Sequence, residues 1–310
     1  MSMEVRPARP ADRQRILDIS AQIWDGYDYV PRMLDEWLAG TAGELLVAVL
    51  DSVVAAFSYR TWVAEEHAWL QGIRTDTALR GKGLGRALTE RSIERAWADG
   101  ARRIGLSTYI DNQASMHIVE SFGFRRMASF VYLEGDLPGR SEPEDSRVVT
   151  LSDEEAIRLI GRSDYLAAAN GRFPWEWKFL SFDWSPRAAL AWAPYRVGIR
   201  RDGEVVSALC ASPGSTPSDA AFLSFLDGEP DDLLTLLRHA QADLGAAKWE
   251  AMVPKDGDRS ARALAVLRES GLRSWSEFSE DVFSYELDRV PAPSRGAPNV
   301  EERRVSDDAE

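Results

Sequence analysis

A six-residue glycine-rich segment marks the point where a strand pattern gives way to a helix pattern. The segment is Arg80-Gly81-Lys82-Gly83-Leu84-Gly85; an apolar stretch at 68–73 precedes it, and helical spacing over 86–97 follows it. Glycines in such a turn leave backbone N–H groups uncovered, and the start of the helix adds partial positive charge. The segment therefore predicts a site for a phosphate or pyrophosphate group in a fold that joins strands to helices.

Further strand and helix patterns surround this segment. A hairpin pattern is centred on Asp51-Ser52 and precedes it. A strand pattern at 103–109, a helix from Asn112 to Phe122 and a closing strand at 130–134 follow it. The predicted fold class is α/β, with a mixed α+β sheet.

The second half of the chain repeats this order with an almost constant offset. The turn at Asp51-Ser52 has a counterpart at Asp202-Gly203, and Phe122-Gly123 has one at Ser270-Gly271. The glycine segment has none, because residues 226–232 contain four carboxylates that would repel a phosphate. We expect two tandem domains, the second without the phosphate site; the alternative is that two unrelated α/β domains share such turns.

Composition sets the expected boundaries between these domains. Residues 135–146 are rich in proline, glycine and charge, which is typical of a linker. We expect an active domain at 1–135, a linker at 136–147, a degenerate domain at 148–290 and a disordered tail at 291–310.

Charge and cysteine content exclude several classes of protein. The net charge of −13 argues against nucleic acid and anionic membranes as partners, since their phosphates would be repelled. The single cysteine excludes a disulfide framework and a cysteine-rich metal site, and we predict no metal. Without an apolar signal core or a membrane-length run, we expect a cytoplasmic protein, either a monomer or a homodimer.

Two common phosphate-binding loops do not fit the glycine segment. A Walker loop needs Ser or Thr after Gly-Lys, whereas Gly85-Arg86-Ala87 stands at the end of this segment. A dinucleotide fingerprint should follow the first strand and be followed by a strand ending in an acidic residue, whereas the next strand here ends in Ser107-Thr108-Tyr109.

The remaining pattern resembles the GNAT superfamily of acetyl-CoA-dependent N-acetyltransferases. The family motif Gln/Arg-x-x-Gly-x-Gly/Ala is matched by Arg80, Gly83 and Gly85, and the later Asn-x-x-Ala/Ser and Gly-Phe motifs are matched at Asn112, Ser115 and Gly123-Phe124. The resemblance covers residues 3–134 and implies tandem GNAT-like domains, the second lacking the loop that binds coenzyme A.

The resemblance implies that acetyl-CoA is the cosubstrate and that the glycine loop holds its pyrophosphate. It also implies that the strands carrying Ile73 and Ser107 splay apart around the thioester. The residues implied in acetyl-CoA binding are Ile73, Arg74, Thr75, Arg80, Gly81, Lys82, Gly83, Leu84, Gly85, Arg86, Asn112 and Ser115. Asn112 fits a helix N-cap equally well.

Acetyl transfer to an amine needs a group that accepts a proton and one that donates a proton to the leaving thiolate. His67 is a candidate base because it shares strand parity with Gln71 and Ile73; the alternative is an exposed residue at the start of the strand. Many family members carry a tyrosine acid where this chain has Val119, so Tyr109 is the candidate acid. Otherwise water supplies that proton.

The acceptor is expected to bind near the aromatic loop at 24–31. Candidate acceptor-binding residues are Tyr27, Asp28, Tyr29 and Gln71, since aromatic rings and carboxylates can enclose a cationic amine. The alternative is a loop that packs onto Trp37 with solvated aspartates. This loop and Gln71-Gly72-Ile73-Arg74 are similar to segments of vertebrate histidine N-acetyltransferase-like proteins, which suggests a small, amino-acid-like acceptor.

The sequence therefore supports two hypotheses. The first is an N-acetyltransferase that transfers acetyl from acetyl-CoA to a small-molecule primary amine by direct attack. An acyl-enzyme is rejected because Cys210 lies in the degenerate half. The second is a non-catalytic acetyl-CoA sensor or scaffold, which Val119 favours.

Overall fold

The computed structural model describes residues 2–137, 145–214, 220–274 and 281–289, and its centre is one mixed sheet of twelve strands. The strands are β1 Met3–Pro7, β2 Gly43–Leu50, β3 Val53–Ala64, β4 His67–Thr75, β5 Arg103–Tyr109, β6 Arg125–Asp136, β7 Val148–Thr150, β8 Arg172–Trp175, β9 Lys178–Ser181, β10 Tyr195–Arg201, β11 Glu204–Ser212, β12 Ala221–Asp227, β13 Lys248–Pro254 and β14 Asp281–Asp288. Strands β8 and β9 form a separate hairpin. The predicted α/β class with a mixed sheet is confirmed.

The helices are α1 Arg13–Ser20, α2 Val30–Ala39, α3 Leu84–Ala98, α4 Gln113–Ser121, α5 Asp153–Ile160, α6 Asp164–Ala168, α7 Pro186–Trp192, α8 Pro230–Leu244 and α9 Asp258–Glu269. We call residues 2–137 the N-terminal half and residues 145–289 the C-terminal half. Within the described ranges, no helix combines the length and apolarity needed to span a membrane.

Local sequence explains the elements near the glycine segment. Val30, Leu34 and Trp37 recur at helical spacing and are buried on one side of α2. The turn Asp51-Ser52 joins β2 to β3 with both residues in the left-handed region, as a two-residue hairpin turn requires. These elements put α2 and the β2–β3 hairpin beside β4.

The two halves exchange strands at the centre of the sheet. The strand order is β1-β2-β3-β4-β5-β14-β6-β13-β12-β11-β10-β7. Strand β14 of the C-terminal half lies between β5 and β6, and β6 of the N-terminal half lies between β14 and β13. The expectation that the strand at 130–134 closes the first unit on itself is therefore wrong, because that strand pairs only with strands of the other half.

The predicted boundary between the first domain and the linker falls inside a strand. Strand β6 runs to Asp136 and pairs there with Lys248, so the first residue of the expected linker is still part of the sheet. Residues 138–144 of the linker, and the expected tail at 291–310, lie outside the described residues.

Carboxylates occupy the place in the C-terminal half that corresponds to the glycine segment. Helix α8 starts at Pro230 after β12, and its first turn contains Asp231 and Asp232. The buried Asp232 carboxylate accepts hydrogen bonds from Ser207 (2.7 Å) and Arg201 (2.5 Å). This helix start already has its own negative charges, which agrees with the predicted loss of the phosphate site there.

The two faces of the N-terminal sheet are covered by different elements. Helix α3 packs Leu84 and Leu88 against one face of β2 and β3. The other face carries α1 and α2, and also the β8–β9 hairpin, whose Phe179 packs against Trp69 and Phe130. We call this second side the hairpin face, and the C-terminal half covers part of it.

Candidate active site

A gap separates β4 from β5 over most of their length. The parallel pairing is confined to His67, Ala68 and Trp69 of β4, opposite residues 103–105 of β5. Beyond Trp69, β4 pairs on its other edge with β3, and β5 pairs on its other edge with β14. The backbone of residues 70–75 thus faces the gap without a β5 partner, and such an edge can bind an extended ligand as an added strand.

A β-bulge at Gly72 lies at this edge. Phe57 of β3 pairs with Arg74 and Tyr59 pairs with Gln71, so β4 contains one extra residue between the two pairs. Gly72 has a φ of +64°, and a Cβ there would lie 2.7 Å from the Trp37 ring. Only glycine fits this position, and the bulge interrupts the regular pairing of β4 with β3 beside the gap.

The glycine segment forms an open cradle at the start of α3. Gly81 and Gly83 have φ values of +75° and +78°, and a Cβ at either would meet no atom within 4 Å. Arg80, Lys82 and both glycines are exposed, whereas Leu84 is buried and anchors the helix start. Uncovered backbone N–H groups, a helix N-terminus and two cationic side chains are the donor set that a pyrophosphate requires. The residues present therefore fit the pyrophosphate of acetyl-CoA.

The remaining residues implied in acetyl-CoA binding have additional structural contacts. The Arg86 guanidinium donates to Ser121 Oγ (2.7 Å) and lies over the Phe122 ring, so it connects α3 to α4. Asn112 Oδ1 accepts a hydrogen bond from the Ser115 N–H (3.3 Å), which is the N-cap alternative. Residues Ile73, Arg74 and Thr75 lie on β4 beyond its pairing with β5.

The aromatic loop is fixed to β4 by a buried ion pair. Both oxygens of Asp28 accept from the Arg74 guanidinium at 3.0 Å, and Oδ2 also accepts from Ser20 (2.8 Å). Arg74 in turn lies 4.7 Å from the centre of the Trp24 ring. The Asp28 charge is therefore matched within the protein, which contradicts the expectation that it pairs with an amine.

The other predicted acceptor residues differ in their surroundings. Tyr27 is 88% exposed. Tyr29 packs edge-on against Trp37, and burial raises the pKa of its hydroxyl to about 12, with Arg74, Asp28 and Glu176 as lesser influences. Gln71 lies on the hairpin face of β4, beside the gap. Tyr29 and Gln71 thus border the gap, whereas Tyr27 lies at the surface.

The turn of the β8–β9 hairpin, for which core packing or an interdomain contact is the main expectation from sequence and closure of the acceptor site the alternative, contacts the strand at the edge of the gap. Ser107 Oγ of β5 donates to the Trp177 carbonyl at 2.6 Å, and the Trp177 ring lies 5.5 Å from that of Tyr132 on β6. The aromatic run at 173–179 was the available signal, but it carries no information about which strand it contacts.

The structure argues against His67 as the base. His67 is only 2% exposed, at the end of β4 that still pairs with β5, which also excludes the alternative of an exposed residue. It lies six residues from Ile73, or about 20 Å along an extended strand. Burial, with Arg103 and Arg172 nearby, lowers the pKa of the imidazole to about 3. The centre of the imidazole ring lies 6.2 Å from the centre of the Trp184 ring. His67 is therefore a neutral core residue.

Two further groups bear on the chemistry. Tyr109 ends β5 on the same face as Ser107, at the side of the gap, while Val119 is buried in α4 and has no proton to donate. Cys210 is fully buried in β11, and burial raises the pKa of its thiol to about 12. A thiol in that state is a poor nucleophile.

Comparisons with known proteins agree with this geometry. Residues 13–124 match the model of the acetyltransferase (GNAT) family, a range that includes α1, the gap and the glycine cradle. No curated protein matches the chain by sequence.

Solved structures resemble the whole chain. A GCN5-related N-acetyltransferase from Sphaerobacter thermophilus has a TM-score of 0.58 at 13% identity, covering 92% of this chain and 95% of its own. A candidate acetyltransferase from Thermoplasma acidophilum has a TM-score of 0.53 at 15% identity, covering 92% of this chain and all of its own (100%). At these identities the likeness establishes the fold, and it extends over both halves.

Proposed function

We propose that this protein, whose residues 13–124 match the model of the acetyltransferase (GNAT) family, transfers acetyl from acetyl-CoA to a primary amine of a small, amino-acid-like molecule. The amine attacks directly in a ternary complex. The observation that carries the proposal is the gap between β4 and β5, which has the glycine cradle beyond the end of β4 and an aromatic-bordered opening on the hairpin face.

Different residues of the N-terminal half would bind different parts of acetyl-CoA along this gap. The N–H groups of residues 81–84 and the charges of Arg80 and Lys82 would hold the pyrophosphate, and the edge of residues 73–75 would hold the extended arm. Acetyl-CoA supplies an acetyl group activated as a thioester. Backbone N–H groups at the Gly72 bulge are suited to stabilise negative charge on the carbonyl oxygen.

Proton transfer is assigned by elimination and position. His67 is neutral and buried and Val119 is buried and apolar, so neither can transfer a proton, whereas Tyr109 ends β5 at the side of the gap. We assign Tyr109 as the donor to the leaving thiolate and water as the acceptor of the ammonium proton. A cysteine intermediate is not proposed, because Cys210 is buried in the C-terminal half.

The C-terminal half is proposed to be a GNAT-like copy that supports the first domain and binds no acetyl-CoA. Its support is the carboxylate-filled start of α8 and the strand exchange at β14. We place the protein in the cytoplasm.

Acetyl-CoA binding is tested by thermal shift with a matched pair of glycine substitutions. Gly83→Asp places a carboxylate in the cradle and should abolish stabilisation by acetyl-CoA, which reaches about 2.7 kcal/mol at a hundredfold excess over Kd. Gly203 also has a positive φ (+84°) and open space, but it lies in the β10–β11 turn. Gly203→Asp should retain the full shift, and equal shifts in both variants would contradict the cradle assignment.

Turnover is tested by following thiol release with a panel of amines. Release that depends on the amine supports the enzyme, while acetyl-CoA binding without release on any amine favours the second candidate, a non-catalytic acetyl-CoA sensor. The observation that favours this candidate is Val119 at the position where many family members have tyrosine.

A further inference from the structure

The opening of the gap on the hairpin face has two walls that come from different halves of the chain. One wall is α2 with the aromatic loop, where Tyr29 and Trp37 lie against Gly72. The other is the β8–β9 hairpin, whose Phe179 packs on Trp69 of β4. An amine that reaches the gap from this face passes between them.

The turn of the hairpin is held at the edge of the gap. The hydrogen bond from Ser107 Oγ to the Trp177 carbonyl fixes it to β5, and the contact between Trp177 and Tyr132 fixes it to β6. Glu176, the residue before Trp177, adopts a left-handed φ of +51°. A left-handed φ is what a two-residue hairpin turn requires, so it fixes the shape of this turn between Trp175 and Lys178.

The Glu176 carboxylate is exposed at this opening, and the Lys178 ammonium, which lies over the Trp175 ring, is attracted to it without forming an ion pair. Among the residues that the structure describes, it accepts no hydrogen bond and forms no ion pair. Its charge reaches Tyr29 on the opposite wall and Glu250 on β13, because it contributes to raising the pKa of both groups, for each of which burial is the larger cause. Asp28, by contrast, is already neutralised by Arg74.

We propose that the turn Glu176-Trp177 of the C-terminal half completes the acceptor site, and that Glu176 selects acceptors carrying a second ammonium group. A carboxylate in contact with the attacking nitrogen would keep that nitrogen protonated and inactive. Glu176 lies one residue outside the contact with β5, where it can pair with a second charge while the attacking amine enters the gap. This assignment rests on the proposed acetyl transfer to a small amine.

The test uses the full-length protein and pairs of amines with the same carbon skeleton, such as 1,5-diaminopentane with pentylamine and lysine amide with norleucine amide. Wild-type protein should favour the dicationic member of each pair. Glu176→Gln should raise KM for the dicationic amine about tenfold, the loss of roughly one charge-assisted hydrogen bond. KM for the monoamine and for acetyl-CoA should change less than twofold, and Glu176→Lys should reverse the preference.

Glu204→Gln is the matched control, because Glu204 is an exposed carboxylate of the same half at the β10–β11 turn. It should leave every KM unchanged. Trp177→Ala should raise KM for both members of a pair, since it removes the wall while the backbone carbonyl that bonds Ser107 remains.

The outcomes separate this inference from the function on which it rests. Wild-type protein that uses monoamines as well as diamines, or a Glu176→Gln variant that affects both equally, overturns the role of Glu176 and leaves acetyl transfer intact. Wild-type protein that binds acetyl-CoA but acetylates no amine overturns the proposed function.

Discussion

The buried imidazole of His67 should make the stability of this protein fall between pH 7 and pH 5. His67 has a pKa of about 3 in the folded protein, against an ordinary value of 6.5, because burial and the nearby Arg103 and Arg172 disfavour the charged ring. Between these values the unfolded chain binds a proton that the folded protein does not, so stability is complete above pH 6.5 and is lost as the pH falls. The expected loss from pH 7 to pH 5 is about 2 kcal/mol.

The assay is urea denaturation at both pH values for wild-type protein and His67→Leu. The variant keeps a side chain of similar size and removes the titrating group, so its free energy of unfolding should change with pH by about 2 kcal/mol less than that of wild-type protein. His117 is exposed on α4, and His117→Gln should keep the wild-type slope. Equal slopes for wild-type protein and His67→Leu would refute the assignment of His67 as a neutral core residue.

Two further predictions concern the strand exchange and the bulge. Glu286→Gln should lower the free energy of unfolding by ~3 kcal/mol, because this 2% exposed carboxylate pairs with Arg172 (2.5 Å). Asp288→Asn, at a 41% exposed position, should lower it by less than ~1 kcal/mol. Urea denaturation tests both variants, and similar losses of stability would contradict the role of the buried pair. Gly72→Ala should lower the free energy of unfolding by ~1–3 kcal/mol more than Gly81→Ala does. Both glycines have a positive φ, but only at Gly72 would an added Cβ lie 2.7 Å from an aromatic ring. Equal losses of stability in the two variants would refute the steric argument.

Local patterns predicted the elements that lie close together in the sequence. The glycine cradle, its helix and the hairpin at Asp51-Ser52 depend on residues within a few positions of each other, and backbone preferences determine them. The gap was expected from the family resemblance. Its residues 73–75 lie on β4 as predicted.

Contacts between distant segments were not predictable in this way. Asp28 pairs with Arg74, 46 positions away, and no spacing rule distinguishes that partner from a substrate amine. His67 has the predicted strand parity, but burial, to which Trp184 of the other half contributes, lowers the pKa of its imidazole, with Arg103 and Arg172 as lesser causes. Similarly, nothing within residues 281–288 indicates that this segment pairs with β5 and β6.

The position of β14 has a consequence for biosynthesis. Strand β5 forms one side of the gap and pairs with β14. The two strands are far apart in the sequence: Asp288 of β14 is 185 positions beyond its partner Arg103 of β5. While the ribosome is still producing the C-terminal half, the edges of β5 and β6 are unpaired, and such edges invite association with other chains. The side of the gap formed by β5 is therefore complete only after β14 has been synthesised and inserted between β5 and β6.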